Sequence, residues 1–469
     1  MLAGSWLLGA LLAGPAVDGD FADWRDGPVL DERFGDAADP VDLGPLQWRL
    51  DDHGLWLRIR AAVPANIAQS ERTLTLAIDN EGGGTTYRGS SEVDRVIEYS
   101  PPQGNDRLGF RTLLPSGDAW RSSETSDDYL RSAPTVASDS YEILLRSSDV
   151  VAGTRVQVML WNDQAQDVTD WITLAAQPTV PVVRPALERH PEADLRVMVW
   201  NTGGERTARQ LKRFARLIEA IDPDVALLDE VAPNQRSDHL KQLKHQSLGG
   251  SGGRQRGLIL SRWSLTPVES FRFLDYPPTV AELVRAEGSD FMRRDLKNAA
   301  SDGVPANGAL VTHAGRRILL VALDLQCCGD GDDSVQDRLR VIQATRIAAA
   351  IDQAREDPGF DELIVGGDFN LVGSAQPLTI LRGSGTTDLT IANALQPDGL
   401  SNVTWIRRGD LFPPGRLDYA LHSPTLRQLA GVVFNPGVMN ERQLSATGLA
   451  PDTTDRMSGH QPLVIDLAY

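Results

Sequence analysis

Cysteine is almost absent from this 469-residue chain: there are two, Cys327 and Cys328, and they are adjacent. A disulfide scaffold is therefore excluded, whatever the compartment. The pair itself leaves three readings open: a vicinal disulfide, a metal role, or two small residues at a loop bend. Positive charge is also scarce. Asp and Glu number 64 against 46 Lys and Arg, for a formal net charge of -18. Such a surface repels a polyanion unless a local basic patch overrides the total, so extended duplex DNA is a poor partner. A small phosphate ester held through metal is not excluded. A membrane span is missing too. The apolar start Met1–Ala16, MLAGSWLLGALLAGPA, is too short to cross a bilayer. Its small-residue exit suits a secretory signal over residues 1–17, although no Lys or Arg precedes Arg25. Secretion or periplasmic export follows from that reading, with no transmembrane anchor after processing; a misassigned start or a buried N-terminal strand are the competing accounts.

Hydrophobic residues make up 41% of the chain, ample for globular cores, and its length exceeds what one core usually serves, so two domains are expected. The first spans 18–175. Leu46–Arg60 reads as a hairpin about the polar turn Asp51–Gly54, because apolar and polar residues alternate on either side. Further strands are expected at Thr73–Ile78, Val93–Tyr99, Tyr141–Leu145 and Val156–Trp161, with little helical periodicity between them. An all-β sandwich is the economical reading. Residues 176–194 contain four prolines and read as a semi-rigid linker.

From 195 to 469 the pattern changes to alternating strands and helices. Leu195–Trp200 is an apolar strand ending at Asn201, and Val225–Leu228 is another with Glu230 just beyond it. The intervening stripe Leu211, Phe214, Leu217, Ile218 and Ile221 predicts a helix over about 208–220, with Thr207 and Gln210 at capping-box spacing. Two strands bracketing a helix bring Asn201 and Glu230 to the same end of neighbouring strands. Arg317–Leu323 ends at Asp324, and Ser334 with Asp337 marks the start of a long helix to about Gln353. The centre is Leu363–Leu371, LIVGGDFNL, where an apolar strand runs into Asp368 and Asn370; extended backbone would turn both to one side and Phe369 to the core. GRLDYA around Asp418 and SGHQP around His460 complete the series. Seven polar groups at the ends of apolar strands exceed what surface composition explains. Carboxylates gathered in one site need a compensating cation, and oxygen donors suit Mg²⁺ first and Mn²⁺ second.

These residues carry a resemblance. Asn201 after its strand, LLDEV with Glu230, GLILSR, GGDFN, GRLDY and the terminal SGHQP resemble the ordered motifs of the endonuclease/exonuclease/phosphatase superfamily, over about Leu195–Tyr469. The resemblance implies a DNase I-like α/β four-layer sandwich, preceded here by the all-β sandwich domain, and divalent-metal-dependent phosphoester hydrolysis. It implies Glu230 as chief metal ligand, with Asn201 and the Asp418 region in support. Asp368 would orient or deprotonate the attacking water, and Asn370 would hold water or a phosphate oxygen. His460 would contact phosphate and assist proton transfer, and Arg294, or Arg293, would face the phosphate beside Asn201. Two positions depart from the pattern: Asp324 stands where the family commonly has His, and Gly459 where it commonly has Asp. Without a carboxylate before it, His460 lacks the group that fixes its tautomer, Asp455 being a nearby substitute. These departures motivate the alternative of a noncatalytic extracellular binding protein on a degenerate hydrolase scaffold. The first domain in turn resembles carbohydrate-binding-like sandwiches that open on DG..DW, here Asp18–Trp24. That likeness implies Ca²⁺ at the Asp79 turn and a carbohydrate platform of tryptophans, against which stands the ordinary use of both in a turn and a core.

Overall fold

The computed structural model describes residues 14–24, 27–80, 82–103, 106–117, 119–123, 129–232, 242–249, 257–287, 302–328, 331–407 and 409–469. Residues 1–13, Glu81, and the stretch with Arg293 and Arg294 lie outside the described residues. The chain divides into two compact units, one of Met1–Val183 with Asp330–Asp332 and Arg407–Arg416, the other of Arg184–Gly329, Asp333–Ile406 and Leu417–Tyr469. Among the described residues no helix is long and apolar enough to cross a membrane.

The first unit is all β. One sheet runs in the order Val29–Leu30, Leu46–Asp51, Gly54–Ala65, Ser138–Arg146, Tyr129–Ala133. The other contains Phe110–Ser116, Arg95–Tyr99, Thr73–Asp79 and Arg155–Trp161 as successive neighbours. The expected hairpin is present, with Trp48 opposite Leu57 and Leu50 opposite Leu55. Its inward residues join Leu76, Ile78, Ile97, Ile143, Val156 and Val158 in one core.

The opening DG..DW stretch has a structural task. The Asp18 and Gly19 amides donate to Glu142 Oε2 at 3.1 and 2.9 Å, and Trp24 Nε1 donates to Glu142 Oε1 at 2.7 Å. Glu142 is fully buried, and burial lifts its pKa to about 8 despite these donors. Trp48, Trp56 and Trp161 are buried, so these rings serve the core rather than a sugar platform. Asp79, where Ca²⁺ was expected, has protein partners on both oxygens. Arg155 Nε donates to Asp79 Oδ2 at 2.6 Å and the Gly82 amide to Oδ1 at 2.9 Å. A guanidinium already supplies the positive charge a cation would bring.

In the second unit the strands in chain order are β1 (Leu195–Asn201), β2 (Val225–Asp229), β3 (His245–Gly249), β4 (Gly257–Ser261), β5 (Leu265–Pro267), β6 (Ala306–His313), β7 (Arg316–Asp324), β8 (Glu362–Asp368), β9 (Thr390–Ile391), β10 (Asp418–His422), β11 (Arg427–Val433) and β12 (Leu463–Ala468). They form two six-stranded mixed sheets, β3-β4-β2-β1-β12-β11 and β5-β6-β7-β8-β10-β9. Alternation along β1 and β2 explains the layering. Val197, Val199, Val225 and Leu227 face Ala309, Leu320, Ile364 and Ala420 of the second sheet. Met198, Trp200, Ala226 and Leu228 face Phe214, Leu217, Ile218 and Ile221 of helix α1 (Leu211–Ile221). β1 and β2 are parallel, as are β7 and β8, so α1 and helix α2 (Val335–Glu356) are the crossovers such pairs require. This is the four-layered DNase I-like arrangement.

Ser334 caps α2 by accepting from the Asp337 amide at 3.1 Å, as its spacing predicts. The capping box at Thr207 and Gln210 does not form: Gln210 makes no side-chain cap, and the Thr207 hydroxyl donates to the Thr202 carbonyl instead. Neither glycine of the GG pair has room for a side chain. A Cβ on Gly366 would meet Val199 Cγ2 at 2.5 Å, and one on Gly367 would collide with the Leu323 carbonyl and lie 2.9 Å from Asp229 Oδ2. Gly367 also has φ +152°, so the GG of GGDFN is demanded by both space and backbone.

Candidate active site

Register brings the polar strand ends to one edge. Asn201 pairs with Asp229 across parallel β1 and β2, and Asp324 with Asp368 across parallel β7 and β8. Asp418 begins β10 directly opposite Asp368, because β10 runs antiparallel. His460 precedes β12, which is antiparallel to β1. Residues that end one set of strands and begin another thus share the carboxyl edge of the parallel pairs, where open α/β sheets place their sites.

Side chains complete the convergence. Asn201 Nδ2 donates to Glu230 Oε1 at 3.2 Å and to Asp368 Oδ2 at 3.1 Å, while Asn201 Oδ1 accepts from the Gly203 amide at 3.0 Å. Asn201, expected to ligate metal, here presents a donor that bridges two carboxylates, while its oxygen accepts one backbone amide. His460 Nδ1 lies 2.9 Å from Asp418 Oδ2, and His460 Nε2 lies 3.6 Å from Asp368 Oδ2. Asp418, expected among the metal ligands, meets the imidazole through Oδ2 and keeps Oδ1 without a hydrogen-bond partner among the described residues. It stands in the role that Gly459 leaves empty, since a carboxylate on Nδ1 fixes the tautomer that turns Nε2 toward Asp368. Asp455, the substitute suggested by proximity in sequence, uses its backbone carbonyl to accept from Arg206 at 3.1 Å.

Asn370 departs from the extended alternation expected of it. It takes φ +49°, and its amide donates to Asp368 Oδ1 at 3.0 Å, so the DFN segment is a turn closed by its own aspartate. Phe369 is buried as expected. The Asn370 side-chain amide then donates to the Leu325 carbonyl at 2.9 Å and approaches Asp324 Oδ1 at 3.4 Å. Glu230 likewise holds φ +47°, the second non-glycine residue of the site in the left-handed region. Such conformations cost about 1 kcal/mol or more and persist where the surroundings enforce them.

Three contributors escape the sequence reading. Asp229, fully buried, accepts from the Asp368 amide at 3.1 Å through Oδ2. Thr404 Oγ1 accepts from the Asp418 amide at 3.0 Å, and the Thr404 carbonyl accepts from the Gln461 amide at 2.7 Å, tying the Asp418 and His460 segments together. Ser458 Oγ donates to the Asn201 carbonyl at 2.8 Å and accepts from the His460 amide at 3.1 Å. The acid preceding Glu230 and the serine of SGH were visible signals; Thr404 had none.

Electrostatics follow from crowding. Burial lifts Asp368 to about 7, with His460 opposing and Asp418 adding to the rise. Burial pushes His460 down, but the Asp418 and Asp368 carboxylates outweigh it and lift the imidazole to about 9. Asp229 is held well above the carboxylate range by burial and then by the charges of Asp368 and Asp418. Asp229 Oδ1 and Asp418 Oδ1 are buried with no hydrogen-bond partner among the described residues. Asp368, Asp418 and His460 offer ligand atoms within 4.8 Å of one another. An excess of buried oxygen donors over one imidazole is the donor chemistry of a hard divalent cation, so the residues present fit such an ion. Arg294 contributes nothing that can be placed, lying outside the described residues.

Residues 198–440 match the Endonuclease/Exonuclease/phosphatase family. No curated protein matches the chain. Among solved structures, the 3' phosphatase NExo from Neisseria is similar at 16% identity over 59% of this chain and 100% of its own, with a TM-score of 0.36. Truncated TDP2 of Caenorhabditis elegans is 16% identical over 59% of this chain and 98% of its own, TM-score 0.38. A mannosyl-6-phosphatase of Bacteroides thetaiotaomicron is 16% identical over 59% and 100%, TM-score 0.37.

Proposed function

The chain belongs to the Endonuclease/Exonuclease/phosphatase family, and from that premise we propose that it is a divalent-metal-dependent phosphoester hydrolase acting on a small diester. One observation carries the reading: Asp418 orients His460, whose Nε2 faces Asp368, while Asn201 joins Asp368 to Glu230. Holding two buried carboxylates against one imidazole, with half-buried Glu230 close by, carries a cost that a catalytic role would explain.

Glu230 and Asp368 are the residues that would hold Mg²⁺ or Mn²⁺, with Asp418 and His460 close by. A bound cation would supply the positive charge that keeps Asp368 ionised and would polarise the phosphoester oxygens. Asp368, once ionised, orients the attacking water and takes its proton. His460, charged at neutral pH by its two carboxylates, offers an Nε2 proton to the phosphoryl oxygens as negative charge builds. Asn201 fixes the separation of the two carboxylates, and Asn370 anchors the turn that aims Asp368. Asp324 lies beside Asn370, whose side-chain amide approaches its Oδ1 at 3.4 Å and meets part of the charge it adds. Net charge favours a small ester over extended duplex DNA.

The noncatalytic alternative drew on Gly459 and Asp324. The Asp418–His460 contact speaks against the first ground and the Asn370–Asp324 contact against the second. The test is hydrolysis of phosphodiesters with and without divalent metal, Glu230→Gln in parallel. Metal-dependent turnover in the parent that the variant lacks supports the reading; ligand binding without turnover in a folded, metal-supplied chain favours the scaffold account.

A further inference from the structure

Cys327 and Cys328 take no part in the proposed hydrolysis, yet the fold arranges them with care. Both are exposed, three and four residues beyond the end of β7. Neighbouring side chains on an extended strand point to opposite sides. Here Cys328 takes φ +63°, a conformation uncommon outside glycine, and its Sγ donates to Cys327 Sγ at 2.9 Å. The backbone is clamped in that shape from beneath. Arg340 Nη1 donates to the Gln326 carbonyl at 3.0 Å and the Cys328 carbonyl at 2.7 Å. Arg340 is itself fully buried and paired with Asp337 Oδ1 at 3.2 Å. Gln343 Oε1 accepts from the Gln326 amide at 2.7 Å. The two sulfurs are therefore held on one side by groups that owe nothing to a bond between them.

We propose that Cys327 and Cys328 form an oxidation site that closes reversibly to a vicinal disulfide by exchange with a low-molecular-weight disulfide. One cysteine thiolate attacks a sulfur of the external disulfide, giving a mixed disulfide and expelling one external thiolate. The second cysteine, losing its proton, attacks the protein-side sulfur and expels the other. Two protein S–H bonds are lost and one S–S bond forms; the external S–S bond breaks and two external thiols result. The cysteines lose two electrons and the external disulfide gains them. Preorganisation of the second thiol makes this ring closure intramolecular. Adjacent Cα atoms are about 3.8 Å apart, below the roughly 4.4 Å at which unstrained disulfides begin, so the ring is easily reduced again. Leu325, two residues before Cys327, holds Asn370 through its carbonyl, so oxidation acts on a loop in contact with the site. An effect on turnover would rest on the proposed function; the thiol chemistry does not.

The experiment treats the reduced full-length chain with oxidised glutathione, alkylates under denaturing conditions and measures intact mass. Loss of both alkylatable thiols without a glutathione adduct, reversed by reduced glutathione, is the expected result. Persistent adducts, two thiols still alkylatable, or a covalent dimer would overturn it. Cys328→Ser should stop at a mixed glutathione disulfide on Cys327; a variant left unmodified while the parent closes would overturn the exchange route. A chain that closes the ring but hydrolyses no phosphoester would refute the hydrolase reading alone.

Discussion

Replacing Asp418 by Asn removes the charge 2.9 Å from His460 Nδ1 while keeping a side chain of the same shape. The imidazole stands at about 9 against an ordinary 6.5, a difference of about 3 kcal/mol at roughly 1.36 kcal/mol per unit. Burial works against that rise, and Asp418 is the larger of the two carboxylate contributions, so burial regains most of the ground when it is lost. We expect the His460 pKa in Asp418→Asn to fall by at least about two units. The assay is a pH titration of the imidazole Cε1–H resonance by NMR, assigned among the seven histidines with His460→Gln. Stability gives a second readout. A folded pKa raised above the unfolded one stabilises fully below about 6.5, and that contribution is lost as pH rises through about 9. The stability gap between parent and variant should therefore narrow between those limits. An imidazole still titrating near 9 in the variant would refute the coupling.

Other perturbations test other parts. Asp368→Asn should preserve the fold and raise the metal-free melting temperature at pH 8, since the folded-state pKa near 7 means ionised Asp368 destabilises there; turnover should drop at least about 100-fold, and a parent-like rate would end its assignment. Glu230→Gln should weaken Mn²⁺ binding by at least about 10-fold in calorimetry, unchanged affinity placing the ion elsewhere. In the first unit, Glu142 contributes stability that is full below its ordinary pKa and is lost as pH rises through about 8. Glu142→Gln should flatten denaturation midpoints between pH 5 and 8.5, and an unchanged slope would count against it. Gly366→Ala should cost about 1–3 kcal/mol by overpacking the intersheet contact, measured by urea unfolding; a neutral result would show that Val199 can yield.

Much of the fold could be read from period alone. The Leu46–Arg60 hairpin, the α1 stripe and the β1 and β2 runs carry alternation or 3.6-residue spacing strong enough to decide their form. The site was legible as a set of residues but not as a set of partners. Asn201 and Glu230 follow from two parallel strands, and their approach needs only topology. Which atom each side chain offers depends on neighbours distant in sequence: Gly203 claims the Asn201 oxygen, and Asp418 reaches His460 because Thr404 ties two loops together. The left-handed backbone at Asn370 was equally hidden, since Asp-Phe-Asn after a strand is compatible with extended chain. Asp79 shows the same limit: a turn rich in oxygen suggested calcium, and its contact with Arg155 on a neighbouring strand had no signal in the sequence.

Metal-dependent phosphoester hydrolysis at the Glu230, Asp368 and His460 edge is tested by turnover of a chromogenic phosphodiester by the metal-stripped chain. Addition of Mg²⁺ or Mn²⁺ should restore hydrolysis in the parent and leave Asp368→Asn inactive. A folded parent that binds the ion and hydrolyses neither this ester nor nucleic acid, lipid or inositol phosphates would contradict the account.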